Sequence, residues 1–123
     1  MTFRTTQKIS EALDVRAGKV AADGDAGVDT PWLDMESVNR IAFYVQTVDG
    51  QEVDSVQLRE ATDDGGAGAQ DLGDAVTIGA QTGVVEIEVS DLSSGFTHVR
   101  ANASTTGAHP VGVTPVAVGS YRP

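Results

Sequence analysis

From Val85 to Ser90 the chain alternates without exception, with Val85, Ile87 and Val89 on one side and Glu86, Glu88 and Ser90 on the other. Successive side chains of a strand point to opposite faces, so a period of two fits a strand with one buried and one wet face and fits no helix. The pattern recurs at 39–48, where Ile41, Phe43 and Val45 oppose Ala42, Tyr44 and Gln46. It returns at 53–61, with Val56 and Leu58 inward and Gln57 and Arg59 outward, and at 96–104, with Val99, Ala101 and Ala103 opposite His98, Arg100 and Asn102. Residues 74–80 read as a short strand with Val76 and Ile78 inward, and residues 15–22 as an edge strand. In the last run, 111–119, the pattern changes phase at Pro115, from Val111 and Val113 to Val116 and Val118, which predicts an edge position or a bulge.

Turn signals separate these runs. Asp49-Gly50 predicts a hairpin, Thr82-Gly83 and Thr105-Thr106-Gly107 predict turns, and the stretch from Asp63 to Gly68 predicts a loop. About seven strands, each with one apolar face, need a second layer to cover those faces. The fold expected is therefore all-β, an antiparallel β-sandwich of jelly-roll or immunoglobulin-like type. Trp32 is expected to plug one end of its core. Residues 1–14 stand apart as an arm or short helix, because Phe3, Ile9, Ala12 and Leu13 fall on one helical face; residues 15–123 form the sandwich.

The charge balance excludes some functions. Eighteen acidic residues against eight basic ones give a net charge of −10, a field that repels phosphate backbones and disfavours nucleic-acid binding. Asp outnumbers Glu and Lys is scarce, which fits either a GC-rich genome or a protein working in concentrated salt. Self-repulsion is screened within roughly 3 Å at 1 M salt. The melting temperature is therefore expected to rise between low and molar salt; a flat or falling temperature in a salt series counts against a saline working environment. No cysteine is present, so disulfides and thiolate metal sites are excluded. No apolar run approaches the roughly 20 residues of a membrane helix, and no secretory signal follows Arg4.

Catalytic chemistry is hard to find. His98 and His109 have no second ligand at metal spacing, no serine sits in a nucleophile-elbow context, and alternation alone explains Glu86 and Glu88. The best cation candidate is Asp23, Asp25, Asp29 and Asp34. These residues mimic positions one, three, seven and twelve of an EF-hand loop but lack its glycine and its closing glutamate. The chain is read as needing no cofactor and as not an enzyme.

Four stretches carry a resemblance: Arg40 to Gln46 behind an N-terminal arm; Ser55 to Gly65, a strand entering an Asp-Asp-Gly turn; Phe96 to Ala101; and Val116 to Gly119 with the tail Ser120 to Pro123. Together they resemble small capsid-associated decoration or stabilisation proteins of tailed bacteriophages and of tailed viruses of haloarchaea. The Gly/Ala-rich stretch after Asp64 departs from that pattern. The resemblance implies a virion structural protein that is assembled in the host cytoplasm, binds the major capsid protein and forms a homo-oligomer, with no nucleic acid or membrane partner. On this reading Phe3, Ile9 and Leu13 anchor the arm, and Arg4 and Lys8 meet acidic groups on the partner. The competing expectation is a lectin-like or cation-dependent β-sandwich binding module.

Overall fold

The computed structural model describes residues 13–15, 19–21, 27–36, 38–107 and 109–119, with side chains for those from 27 to 117. The chain forms two antiparallel sheets packed face to face. Sheet A comprises β1 (Leu13–Val15), β2 (Lys19–Ala21), β5 (Val38–Thr47), β9 (Thr82–Glu88) and β11 (Val111–Gly119). β11 lies between β5 on one side and β1 and β2 on the other, and β9 flanks β5. Sheet B comprises β3 (Val28–Asp29), β4 (Leu33–Asp34), β6 (Val53–Ala61), β7 (Gln70–Asp71), β8 (Val76–Ala80) and β10 (His98–Thr105). In it β10 sits between β6 and the β3–β4 edge.

The inner faces are the ones alternation marks. Ile41, Phe43, Val45, Val85 and Ile87 of sheet A pack against Val56, Leu58, Val99, Ala101 and Ala103 of sheet B, all buried. Each large aliphatic or aromatic side chain so buried contributes roughly 1.5–3 kcal/mol.

Several expectations are corrected. Asp49-Gly50 does turn the chain, with Gly50 at φ +81° and Gln51 N–H donating to Val48 O at 3.1 Å. It joins β5 of sheet A to β6 of sheet B, however, and closes no hairpin. The turn predicted at Thr82-Gly83 falls at Gln81, and Gly83 lies within β9. Pro115 causes no change of phase: Val111, Val113, Pro115 and Ala117 all face inward, opposite Thr47, Val45, Phe43 and Ile41. Nor is β11 an edge strand. β2 pairs with its residues 111–113 and β1 with 116–118, so Pro115 falls between the two pairings, where a missing N–H costs least. Val89, expected inward, lies exposed in a 3-10 turn after β9, and Val76 is exposed on β8.

Trp32 does not plug the core. Val28, Thr30 and Leu33 face inward, so one extra residue is accommodated between Thr30 and Leu33, opposite β10. This bulge turns Trp32 onto the outer face of sheet B. Thr30, fully buried, repairs the ladder: its N–H donates to Ala101 O at 3.0 Å and its hydroxyl oxygen accepts from Ala101 N–H at 3.1 Å.

Glu60 was not anticipated. It is inward-facing on β6 and only 1% exposed, and no cation pairs with it among the described residues. Its carboxylate accepts from Ser93 N–H (2.8 Å), from the Ser93 hydroxyl (2.6 Å) and from Gln70 Nε2 (2.6 Å). It thereby ties the 89–96 connection and β7 to the centre of sheet B.

Candidate functional site

The outer face of sheet A carries a groove of about 790 Å³. Small-ligand sites run to roughly 300–1,000 Å³. The strand register builds it. Tyr44 of β5 has Val84 of β9 on one side and Thr114 of β11 on the other. In the next row Gln46 lies between Thr82 and Gly112. Gly112 contributes no side chain, so the sheet dips beside Gln46 while Tyr44 stands up. On the far side of Tyr44, Ala42 is small and buried. The outcome is an aromatic ring 48% exposed in mid-strand, with a hydroxyl and a carboxamide beside it and Val84 and Val48 exposed near it.

The end of the groove away from Tyr44 is tied together by Thr47, which is buried. Its hydroxyl donates to Pro110 O at 2.6 Å and its N–H donates to Gln81 O at 2.9 Å. One residue thus fixes both connections that line the groove. Beneath it, Ile78 packs so closely on Gly83 that a Cβ there would come within 2.8 Å of Ile78 Cγ2.

The groove is not charged for anions. Asp49 is the one carboxylate lining it among the described residues. Two rows away Arg40 is answered by Glu86 at 3.6 Å. A glycosidase needs two carboxyl groups roughly 5–9.5 Å apart across the scissile bond, and the described lining supplies one.

The residues singled out from the sequence lie elsewhere. Phe3, Arg4, Lys8 and Ile9 fall outside the described residues, as do Asp23 and Asp25. Leu13, expected on the apolar face of a helix, opens strand β1 opposite Val118. Asp29 is engaged by Asn102 Nδ2 at 2.9 Å and lies 3.7 Å from Arg100 Nη1, which uses its carboxylate for side-chain pairing. Asp34 accepts from Glu36 N–H at 2.8 Å, closing its own turn. Among the described residues no three acidic or histidine side chains gather as metal ligands.

Tyr44 and Gln46 were legible as an outward face, but nothing in one sequence distinguishes a wet face from a binding face. The available signal was Tyr44 itself, an aromatic residue on the side that alternation assigns to solvent.

No protein-family profile matches the chain, and no curated protein does. Among solved structures it is similar to the family 11 carbohydrate-binding module of the cellulosomal cellulase Lic26A-Cel5E of Clostridium thermocellum. The identity is 12%, the match covers 90% of this chain and 85% of that one, and the TM-score is 0.44. It is also similar to the CBM22-1 xylan-binding domain of Paenibacillus barcinonensis Xyn10C, at 13% identity over 91% and 89% of the two chains, with a TM-score of 0.42. At these values no residue role passes from those modules to this chain.

Proposed function

We propose that this chain is a non-catalytic binding module that takes a neutral oligosaccharide along the outer face of sheet A. The observation that carries the reading is Tyr44, half exposed in the end row of a groove lined otherwise by amide, hydroxyl and short apolar side chains and by the carboxylate of Asp49. A pyranose has one face of C–H groups and a rim of hydroxyls. The first stacks on an aromatic ring, and the second exchanges hydrogen bonds with groups such as Gln46, Thr82 and Thr114. Asp49 and the charge of −10 select against acidic sugars there.

Calorimetric titration against a panel of soluble neutral β- and α-glucans, xylans, mannans and galactans tests this. At least one is expected to bind. Tyr44→Ala should weaken that binding at least tenfold, about 1.4 kcal/mol, and leave the melting temperature nearly unchanged, because the side chain is exposed. Binding by none of the panel, or equal binding by Tyr44→Ala, refutes the reading.

A second reading is the virion role, in which the major capsid protein covers the same face. The exposure of Tyr44, Val84 and Val48 together favours it, since a protein partner buries such side chains as readily as a sugar does. It requires co-sedimentation with capsids that Tyr44→Ala abolishes, in a protein that retains no glycan.

A further inference from the structure

Among the described residues, β9 is the outermost strand of sheet A on the side away from β11, with β5 as its neighbour. In an antiparallel ladder every second residue turns its N–H and C=O toward the partner strand, and the residues between turn theirs away. The phase is set where Thr47 N–H donates to Gln81 O at 2.9 Å, because the β5–β9 register continues to that pair. Gly83, Val85 and Ile87 therefore bond to β5, while Thr82, Val84, Glu86 and Glu88 direct their backbone groups outward. Glu88 N–H is taken by Asp91 Oδ2 at 2.9 Å, which closes the edge at that end. Among the described residues no hydrogen bond reaches the N–H or C=O of Thr82, Val84 or Glu86. All three residues are exposed, and such a row is a template for a further strand.

Edges that must stay unpaired are blunted by proline, by a bulge or by an inward-pointing charge. β9 has none of these: its register with β5 runs unbroken from Arg40 to Gln46, and its inward residues are Gly83, Val85 and Ile87. The three open residues are also self-complementary. Turned about a two-fold axis through Val84 and normal to the sheet, β9 of a second copy sets Val84 opposite Val84 and Thr82 opposite Glu86. All three open residues of each copy then pair, each pair exchanging two hydrogen bonds. No carboxylate faces a carboxylate, and Glu88 stays outside the pairing. Other registers do worse. An axis through Glu86 sets Glu86 opposite Glu86, which repels. An axis through Val85 draws on Glu88 N–H, which Asp91 already holds. An axis through Gly83 leaves Glu86 without a partner in the open row. Only the axis through Val84 covers that side chain, 47% exposed, with its own mate.

We propose that the occupant of this edge is a second copy of the chain: the β9 strands of two copies pair antiparallel about Val84 and join two A sheets into one continuous sheet. An axis normal to the sheet keeps both outer faces on the same side. The pairing therefore sets Thr114, Tyr44, Val84 and their mates in a single row across both copies, and the two grooves open in one direction. Each copy carries a charge of −10, so the pairing strengthens with salt, which at 1 M screens charges within roughly 3 Å.

Sedimentation velocity of the full chain in molar sodium chloride, over a wide range of protein concentration and without any sugar, tests this. The weight-average sedimentation coefficient is expected to rise from the monomer value toward that of a dimer. Val84→Pro removes an outward N–H and spares the β5 ladder, as proline on an exposed edge does; it should weaken association at least tenfold. Val84→Lys keeps the backbone donor, sets two like charges opposite each other and should weaken association as much, so a folding defect in the proline variant does not decide the matter. The chain has no cysteine, so single thiols can be placed at will. A short bis-maleimide should couple two copies of Val84→Cys but not of Thr114→Cys, whose mates stand five strand spacings apart, roughly 24 Å. A monomer at every concentration overturns the proposal and leaves the edge to a strand of another protein. Association that both Val84→Pro and Val84→Lys leave unchanged, or equal coupling at the two thiols, overturns it as well. Tyr44→Ala should sediment as the natural chain does, so failure here and failure of the glycan reading are separately visible.

Discussion

Val85→Asp is expected to abolish the cooperative thermal transition, whereas Glu86→Lys, one residue along, is expected to leave it almost unmoved. Val85 is 6% exposed and faces the core beside Phe43 in the β5–β9 ladder. A carboxylate there has no described cation within reach on the inner face. Its desolvation costs several kcal/mol, a large part of the roughly 5–15 kcal/mol that holds a small domain together. Glu86 points to solvent and makes a 3.6 Å pair with Arg40, both half exposed. Such a pair is worth at most about 1 kcal/mol, and its reversal should cost less than that. Melting curves followed by circular dichroism separate the two variants. Equal behaviour would mean that the faces of β9 have been assigned the wrong way round.

Alternation made the faces legible and left the sheets illegible, and the reason is geometric. A period of two states which side of a strand is apolar. It is silent on which of two layers the strand joins, because both layers bury a face in the same core. Val53–Ala61 and Val111–Gly119 were bounded correctly from the sequence for that reason. The Asp49-Gly50 turn looked like a hairpin because a tight turn between two strands has the same local chemistry whether they pair with each other or with others. Val76 and Val89 were misassigned where a strand runs short. β8 hangs at the margin of sheet B, and β9 ends at Glu88, so apolar residues there keep the alternation but lose the layer that would cover them.

The outer faces were legible only as lists of side chains. His98, Arg100 and Asn102 were correctly placed opposite the core residues of β10. The contacts of Arg100 with Trp32 and Asp29, that of Asn102 with Asp29, and the register that sets Arg100 opposite Arg59 depend on the bulge at 31–32 and on pairings across 41 residues or more of sequence, between β10 and β6 and between β10 and β3. Pro31-Trp32 looked like a loop because Pro interrupts the ladder. It does interrupt it, but for one residue, and Thr30 bridges the gap.

Glu60 yields the last expectation, a stability that declines on acidification for a specific reason. Burial pushes its carboxyl pKa up, but the side-chain and backbone hydrogen bonds from Ser93 and the bond from Gln70 outweigh that and hold it below its ordinary value of 4.5. Lowering a carboxyl pKa on folding means that the unfolded chain binds the proton more readily. The stabilisation is then complete above about pH 4.5 and is lost as the pH falls through the lower, folded-state value. Asp63, held low chiefly by the backbone N–H groups of Ala67 and Gly65, adds to the same acid limb from an exposed loop. Glu60→Ala should cost about 3 kcal/mol at neutral pH: hydrogen bonds worth roughly 1.5–3 kcal/mol each are lost, and the donors on exposed Ser93 and Gln70 recover part of that by turning to water. Glu60→Gln preserves the volume and removes the titration. Its stability should fall less steeply with acid than that of the natural chain, by up to one proton's slope, about 1.36 kcal/mol per pH unit. Urea unfolding from pH 7 down to pH 3 measures both quantities. If the acid limbs of Glu60→Gln and the natural chain superimpose, the Ser93–Glu60–Gln70 network is no acid-sensitive tie.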